Sequence, residues 1–169
     1  YSMGRVHMNS CDFCVASYSF DTNDGDFQLD HFDHEVTHDV ESGMVDMMLA
    51  ATAAAQRDGE PGMRIFSSPW SPPAWMKAPT WKDPKGALHA ENMTFSSGWS
   101  CLRDGVGPTS KYAQTWALYF SKFINAYADL GLNLWGVTVQ NEPEFPAPWG
   151  ACSYTPDSQA QFLANHLGP

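Results

Sequence analysis

Three stretches of this chain are apolar enough to be buried strands, and each runs directly into polar residues. The clearest is Leu134-Trp135-Gly136-Val137-Thr138-Val139-Gln140-Asn141-Glu142-Pro143, mostly apolar until it reaches an amide, a carboxylate and a proline. Pro143 cannot donate a ladder hydrogen bond and should hold Glu142 in extended geometry, so the strand is expected to stop there. Residues 1–10 read as a second strand, with Arg5 among apolar neighbours and Asp12 just past the tip. A buried Arg needs a partner, so Arg5 either meets a carboxylate in the interior, the first expectation, or lies on an exposed edge. Met63-Arg64-Ile65-Phe66-Ser67-Ser68 reads as a third strand, ending in Pro69-Trp70.

Between and after the strands the period is helical. Val40, Met44, Met47, Met48, Ala51 and Ala55 recur at three- and four-residue steps, with Gly59 as a stop. Tyr112, Trp116, Phe120, Phe123 and Tyr127 share one face of a helix expected from about Pro108 to Leu130 and closed by Gly131. Thr155 as N-cap and Pro156 at the first helical position announce a last helix, which runs out at Leu167-Gly168-Pro169. The order strand, helix, strand, helix, strand, helix predicts βαβ units on a parallel sheet, with chemistry at the polar strand tips. Some forty residues after Ser68 carry Trp70, Trp75, Trp81 and Trp99, and a loop of that length is usually functional or disordered. Its tryptophans argue against disorder.

Composition narrows the function. Hydrophobic residues make up 43% of the 169, enough for a packed core, and the formal charge of −10 would repel a phosphate backbone, so nucleic acid is not an expected partner. No apolar run approaches the length of a bilayer span. Cys11, Cys14, Cys101 and Cys152 allow zero, one or two bridges, and spacing alone does not choose among them. Asn92-Met93-Thr94 is a glycosylation sequon. The acidic run from Asp21 departs from a calcium loop, because Gly25 and Asp26 sit at the wrong positions and no final Glu follows; a solvated loop is expected. His34-Glu35-Val36-Thr37-His38 matches the zinc-peptidase spacing, yet it has no third ligand and no apolar helix flank, so no metal site is expected there.

Arg5-Val6-His7-Met8-Asn9-Ser10-Cys11-Asp12-Phe13, Ser67-Ser68-Pro69-Trp70-Ser71-Pro72-Pro73-Ala74-Trp75-Met76-Lys77 and Trp135-Gly136-Val137-Thr138-Val139-Gln140-Asn141-Glu142-Pro143 together resemble the successive strand ends of glycoside hydrolase family 30, its glucosylceramidases above all. The spacing and the intervening helices agree over nearly the whole chain. The resemblance implies an α/β fold, a (β/α)8 TIM barrel of which residues 1–169 supply about three consecutive βα units, a partial catalytic domain with parts on both sides missing. An open half barrel of that kind exposes strand edges and should not fold stably alone.

For chemistry, the resemblance implies retaining hydrolysis of a β-glucosidic bond. Glucosylceramide is the first expected substrate and a β-1,6-glucan the alternative. Glu142 is then the acid/base, Asn141 touches the sugar 2-hydroxyl, Asp12 and Trp70 contact the glycone, and Arg5 supports the catalytic carboxylates. Retention also needs a second carboxylate about 5–5.5 Å from the first. Glu144 lies too close to Glu142 in sequence to face it across a sugar, and the family's nucleophile is a Glu on a later strand, outside these residues. No cofactor is implied. A glycolipid or glucan partner, peripheral membrane contact through the substrate, and a secreted or lysosomal location follow from the same resemblance. A homologue that binds sugar without turnover is the first rival reading, and a zinc peptidase using His34 and His38 is the lesser one.

Overall fold

The computed structural model describes residues 1–56, 62–78, 101–145, 147 and 149–169. Gly59, Trp81, Trp99 and the Asn92 sequon lie outside the described residues. Three parallel strands, β1 (Met3–Met8), β2 (Arg64–Pro69) and β3 (Gly136–Val137), form one sheet in the order β1-β2-β3. Register pairs Arg5 with Phe66, His7 with Ser68, and Phe66 with Gly136. The third strand is shorter than its apolar run suggests. Its backbone still follows β2, through Trp135 N–H to the Ile65 carbonyl at 2.7 Å, Thr138 to Ser67 at 2.9 Å and Asn141 to Pro69 at 2.8 Å.

Side chains alternate across the pleat, so this register sorts them onto two faces. Met8 and Ile65 enter the buried cluster that contains Trp116, Phe120 and Phe123, and Val6, Val137 and Val139 pack against it. The opposite face carries Arg5, His7, Phe66, Ser68, Gly136 and Thr138. It is half polar, and the site grows from it.

Helix α3 (Lys111–Asp129) supplies most of the covering layer. Ser110 caps it, its hydroxyl accepting the Ala113 N–H at 2.9 Å while donating to Asp104. The helix therefore starts three residues later than Pro108. Gly131, at φ +82, ends it as expected: Leu132 N–H reaches the Tyr127 carbonyl and Gly131 N–H the Ala128 carbonyl, both at 2.9 Å, which satisfies the last carbonyls. Trp116, Phe120, Phe123 and Tyr127 are buried as the period predicts; Tyr112 is only half-buried, and Tyr119 joins the buried set. Each such side chain contributes about 1.5–3 kcal/mol by leaving water.

The expected helix from Val40 is two helices, α1 (Thr37–Glu41) and α2 (Met44–Gln56), broken where Gly43 adopts φ +79. The break rotates the stripe. Val45 and Met48 are buried, whereas Val40 and Met47 are exposed. The last helix, α4 (Pro156–Phe162), has the predicted cap, with Thr155 and Ser158 exchanging side-chain and backbone hydrogen bonds, and it ends in a wider π turn over Leu163–Leu167. Both cysteine pairs are bridged, Cys11–Cys14 and Cys101–Cys152. The second bridge ties the segment before α3 to the segment after β3. Lys77 fixes the same region, donating to the Ala151 carbonyl at 2.8 Å, and burial pulls its ammonium pKa down to about 7.

Candidate active site

The polar face of the sheet converges on Arg5. Its Nε donates to Ser68 Oγ at 2.9 Å, its Nη2 donates to Asn141 Oδ1 at 2.7 Å, and its guanidinium lies 4.8 Å from the centre of the Trp70 ring. Thr138 donates to Ser68 Oγ at 2.7 Å, so one residue from each of the three strand segments meets in a single network. Arg5 is exposed and finds an amide, a hydroxyl and a ring rather than the expected carboxylate. Asn141 passes the contact on, its Nδ2 lying 3.4 Å from Glu142 Oε2. Glu142 itself is exposed, with φ +45. That conformation is left-handed, not the extended one expected ahead of Pro143. The chain is turning here, as Phe145 N–H closes onto the Glu142 carbonyl at 3.0 Å. A non-glycine residue held in this region stores strain, which proteins concentrate at working sites.

Trp70 is 5% exposed. Arg5 covers its face and Phe13 stands edge-on at 5.7 Å, so its face is not open for stacking on a sugar. Its indole N–H is buried and meets no acceptor among the described residues. Gln140 holds the Trp70 backbone, donating to its carbonyl at 2.7 Å. Asp12 is exposed in the four-residue loop closed by Cys11 and Cys14, next to the Phe13 that touches Trp70. The loop starts from Asn9, whose φ of +63 turns the chain off β1. Asn9 is locked by Tyr119, which donates to its Oδ1 at 2.5 Å, and by its own bond to the Ser71 carbonyl at 3.1 Å.

The structure thus joins Arg5, Trp70, Asn141 and Glu142 by a chain of contacts; of the Cys11–Cys14 loop it is Phe13, next in sequence to Asp12, that touches Trp70. It does not bring His34 and His38 into a zinc grip. The helix begins only at Thr37, and Val36 is left-handed at φ +43, so the two rings do not share a helical turn. His34 is exposed against Phe32, and His38 stacks on Tyr18 at 3.6 Å. Among the described residues, His7, Cys11 and Cys14 have converging ligand atoms, but the disulfide occupies both sulfurs. Behind this region Asp39 is fully buried and accepts from Tyr18 at 2.5 Å and Tyr127 at 2.6 Å; burial raises its pKa despite those two bonds. A cavity of about 700 Å³ lies beside β1, lined by Arg5, His7, Phe13, Cys14, Met47 and Trp70 among others. It meets the network at Arg5 and Trp70, while Asn141 and Glu142 are not part of its wall.

Ser68, Thr138, Gln140 and Phe13 are the contributors that reading the sequence missed. Ser68 and Thr138 had a signal, the alternation of Phe66-Ser68 and Gly136-Thr138 against Ile65-Ser67 and Val137-Val139. Taking the third strand as a continuous apolar run hid it. Phe13 had none, because its partner Trp70 is 57 positions away.

The chain matches the Glycosyl hydrolase family 30 TIM-barrel domain over residues 1–169. It is 31% identical over 173 residues to the lysosomal acid glucosylceramidase of Mus musculus, covering all of this chain and 29% of that protein. It is 34% identical over 124 residues to the endo-1,6-beta-D-glucanase neg1 of Aspergillus fumigatus, covering 72% of this chain and 24% of that one. Among solved structures it is similar to SrfJ of Salmonella typhimurium, at a TM-score of 0.75 and 24% identity over 99% of this chain and 31% of the other. The endo-beta1,6-glucanase BT3312 matches at a TM-score of 0.77 and 22% identity, over 100% of this chain and 32% of that one. These two likenesses speak for the fold. The chain spans under a third of the length of these relatives.

Proposed function

The chain belongs to glycosyl hydrolase family 30, with the TIM-barrel fold of that family, and from this premise we propose that the protein hydrolyses a β-glucosidic bond with retention, glucosylceramide being the first substrate. The observation that carries this reading is the chain of contacts Ser68–Arg5–Asn141–Glu142 at the C-terminal ends of three parallel strands, where barrel enzymes place their reacting groups. Glu142, exposed on a turn, protonates the leaving glycosidic oxygen and later activates water. Asn141 is oriented by Arg5: because its Oδ1 accepts the guanidinium bond, its Nδ2 is the group left to reach a sugar hydroxyl and Glu142. Trp70, held beside Arg5, borders the glycone, and Asp12 accepts from its hydroxyls. The nucleophile is a carboxylate on a later strand, since Glu144 sits in the same turn as Glu142.

The 34% identity to the endo-1,6-beta-D-glucanase neg1 of Aspergillus fumigatus supports a β-1,6-glucan as the alternative substrate. The likeness to a lysosomal enzyme, together with two disulfides, supports a lysosomal or secreted location. No helix among the described residues is long and apolar enough to cross a membrane, so contact with lipid would come through a glycolipid substrate. The deciding experiment assays the full protein on glucosylceramide and on β-1,6-glucan, with Glu142→Gln as control. Release of glucose from the lipid, lost in the variant, supports the first reading; release from the glucan alone supports the second. Saturable sugar binding without turnover on either would sink the enzyme reading and leave a binding protein.

A further inference from the structure

The geometry points to Cys11–Cys14 as a thiol-exchange site, with His7 as its proton-handling partner, whose state sets the position of Asp12 and Phe13 beside Trp70. The disulfide closes a loop whose two inner residues are Asp12 and Phe13. Phe13 stands edge-on to Trp70 at 5.7 Å and to His7 at 5.8 Å, so opening the loop releases a ring that packs on the sugar site. A bridge between residues 3 apart constrains the unfolded chain far less than the Cys101–Cys152 bridge between residues 51 apart. Its effect is therefore local, on the loop it closes.

The two disulfides differ in access. Cys14 is half-buried and lines the cavity beside β1, whereas Cys101 and Cys152 are 2% and 1% exposed. Exchange requires a thiolate to reach a sulfur, so the first bridge is the reachable one. His7 completes the site. Its Nδ1 lies 2.7 Å from the Asn9 carbonyl oxygen, which can only accept, so Nδ1 carries the ring proton. That leaves the Nε2 lone pair free, and Cys14 Sγ lies beside the ring, 3.7 Å from Nε2 and 3.8 Å from Nδ1. A histidine so placed takes the thiol proton of Cys14 in one direction and returns it in the other.

The partner is a small alkyl thiol. Its thiolate attacks Cys14 Sγ; the Cys11–Cys14 bond breaks, its electron pair leaves on Cys11, and that thiolate takes a proton from water. A second thiolate then attacks the small-thiol sulfur of the mixed disulfide. His7 Nε2 first takes a proton from water, giving the imidazolium; the electron pair leaves on Cys14, which takes that proton and returns the ring to its neutral form. Two small thiols are oxidised to one disulfide, and the protein disulfide is reduced to two thiols.

The consequence for sugar binding rests on the function proposed above, whereas the exchange does not. The full protein is treated with a small dithiol and then alkylated, and peptide masses report which cysteines are labelled. Cys11 and Cys14 should be labelled first, with Cys101 and Cys152 retained, and His7→Gln should slow the first labelling several-fold; the retained second bridge shows that the variant is folded. For the glucoside, both the reduced protein and the double variant Cys11→Ser, Cys14→Ser should show KM raised about tenfold, the worth of one charge-assisted hydrogen bond from Asp12, with kcat little changed. Reoxidation should restore KM in the reduced protein. Earlier labelling of Cys101 and Cys152, no effect of His7→Gln, or an unchanged KM after full reduction of Cys11–Cys14 would each overturn the inference. If the oxidised protein turns over no glucoside, the function proposed above fails, and labelling order with the His7→Gln rate then decides the exchange site alone.

Discussion

Glu142 leaves the tip of β3 in a left-handed turn with Asn141 as its neighbour, and that placement sets what substitution should do. Glu142→Gln keeps the shape and removes the proton, so turnover should fall by about 10²–10⁴-fold with KM nearly unchanged. Glucosides with activated leaving groups, which need little protonation, should lose less in the glycosylation step; an equal loss across leaving groups would argue against Glu142 as the acid. Arg5→Lys keeps the charge but cannot reproduce the guanidinium's fork to Ser68 and Asn141. A loss of about 1.5–3 kcal/mol in kcat/KM is expected, and rates within experimental error of the parent would remove Arg5 from the site.

Asp39 gives the pH prediction. Its folded pKa is raised by burial, so the stability it contributes is fully present below its unfolded value and lost as pH rises through the folded one. Lys77, lowered from 10.5 to about 7, has the opposite sign: its cost is paid while charged in the fold and fades as pH rises from about 7 toward 10.5. Tyr18, Tyr127, His7 and His38 all face Asp39 and are kept in the comparison. Urea unfolding of the full protein should therefore show Asp39→Asn flattening the fall in stability as pH rises above the ordinary carboxylate range. The same slope in parent and variant would rule Asp39 out as its source.

At the scale of elements, stability is concentrated in α3 and in what ties its ends. Phe123 is fully buried, stacks with Phe20 at 5.8 Å and tilts against Tyr127 at 4.5 Å. Phe123→Ala should cost about 3–5 kcal/mol by denaturant unfolding. The cap of α4 is a smaller feature, and Thr155→Ala should cost about 1 kcal/mol. The elements whose ends are written in local chemistry, Gly131 after α3 and Thr155-Pro156 before α4, were legible from sequence because one or two residues decide them. The α1–α2 break was not: Gly43 in a helical period reads as a tolerated glycine until its backbone is seen turning left-handed.

The sheet sets the expectations for the whole molecule. β1 and β3 are each paired on one side among the described residues, and Met3, Met47 and Trp135 are 49%, 59% and 60% exposed. Unpaired edges and exposed apolar side chains favour association, so the isolated 169 residues should melt without a cooperative transition and aggregate. A sharp two-state melt of the monomer would show that α3 and the two disulfides suffice on their own. The same three-strand arrangement explains why the site could be half read in advance: each strand carries its own polar tip, but a network across strands needs the register.

The sequence by itself determined the alternation of strands and helices, the apolar face of α3 and the caps, because periodicity and turn chemistry are local; the resemblance of its strand ends to glycoside hydrolase family 30 singled out Arg5, Asp12, Trp70, Asn141 and Glu142 as candidates. Tertiary structure alone decided that Arg5 meets Asn141 and Ser68 instead of a carboxylate, that the Trp70 ring is covered by Arg5 and Phe13, and that His38 stacks on Tyr18 while His34 lies against Phe32. It also chose the cysteine pairs and put His7 against Cys14. These depend on register and on contacts between residues far apart in the chain, which no local pattern records.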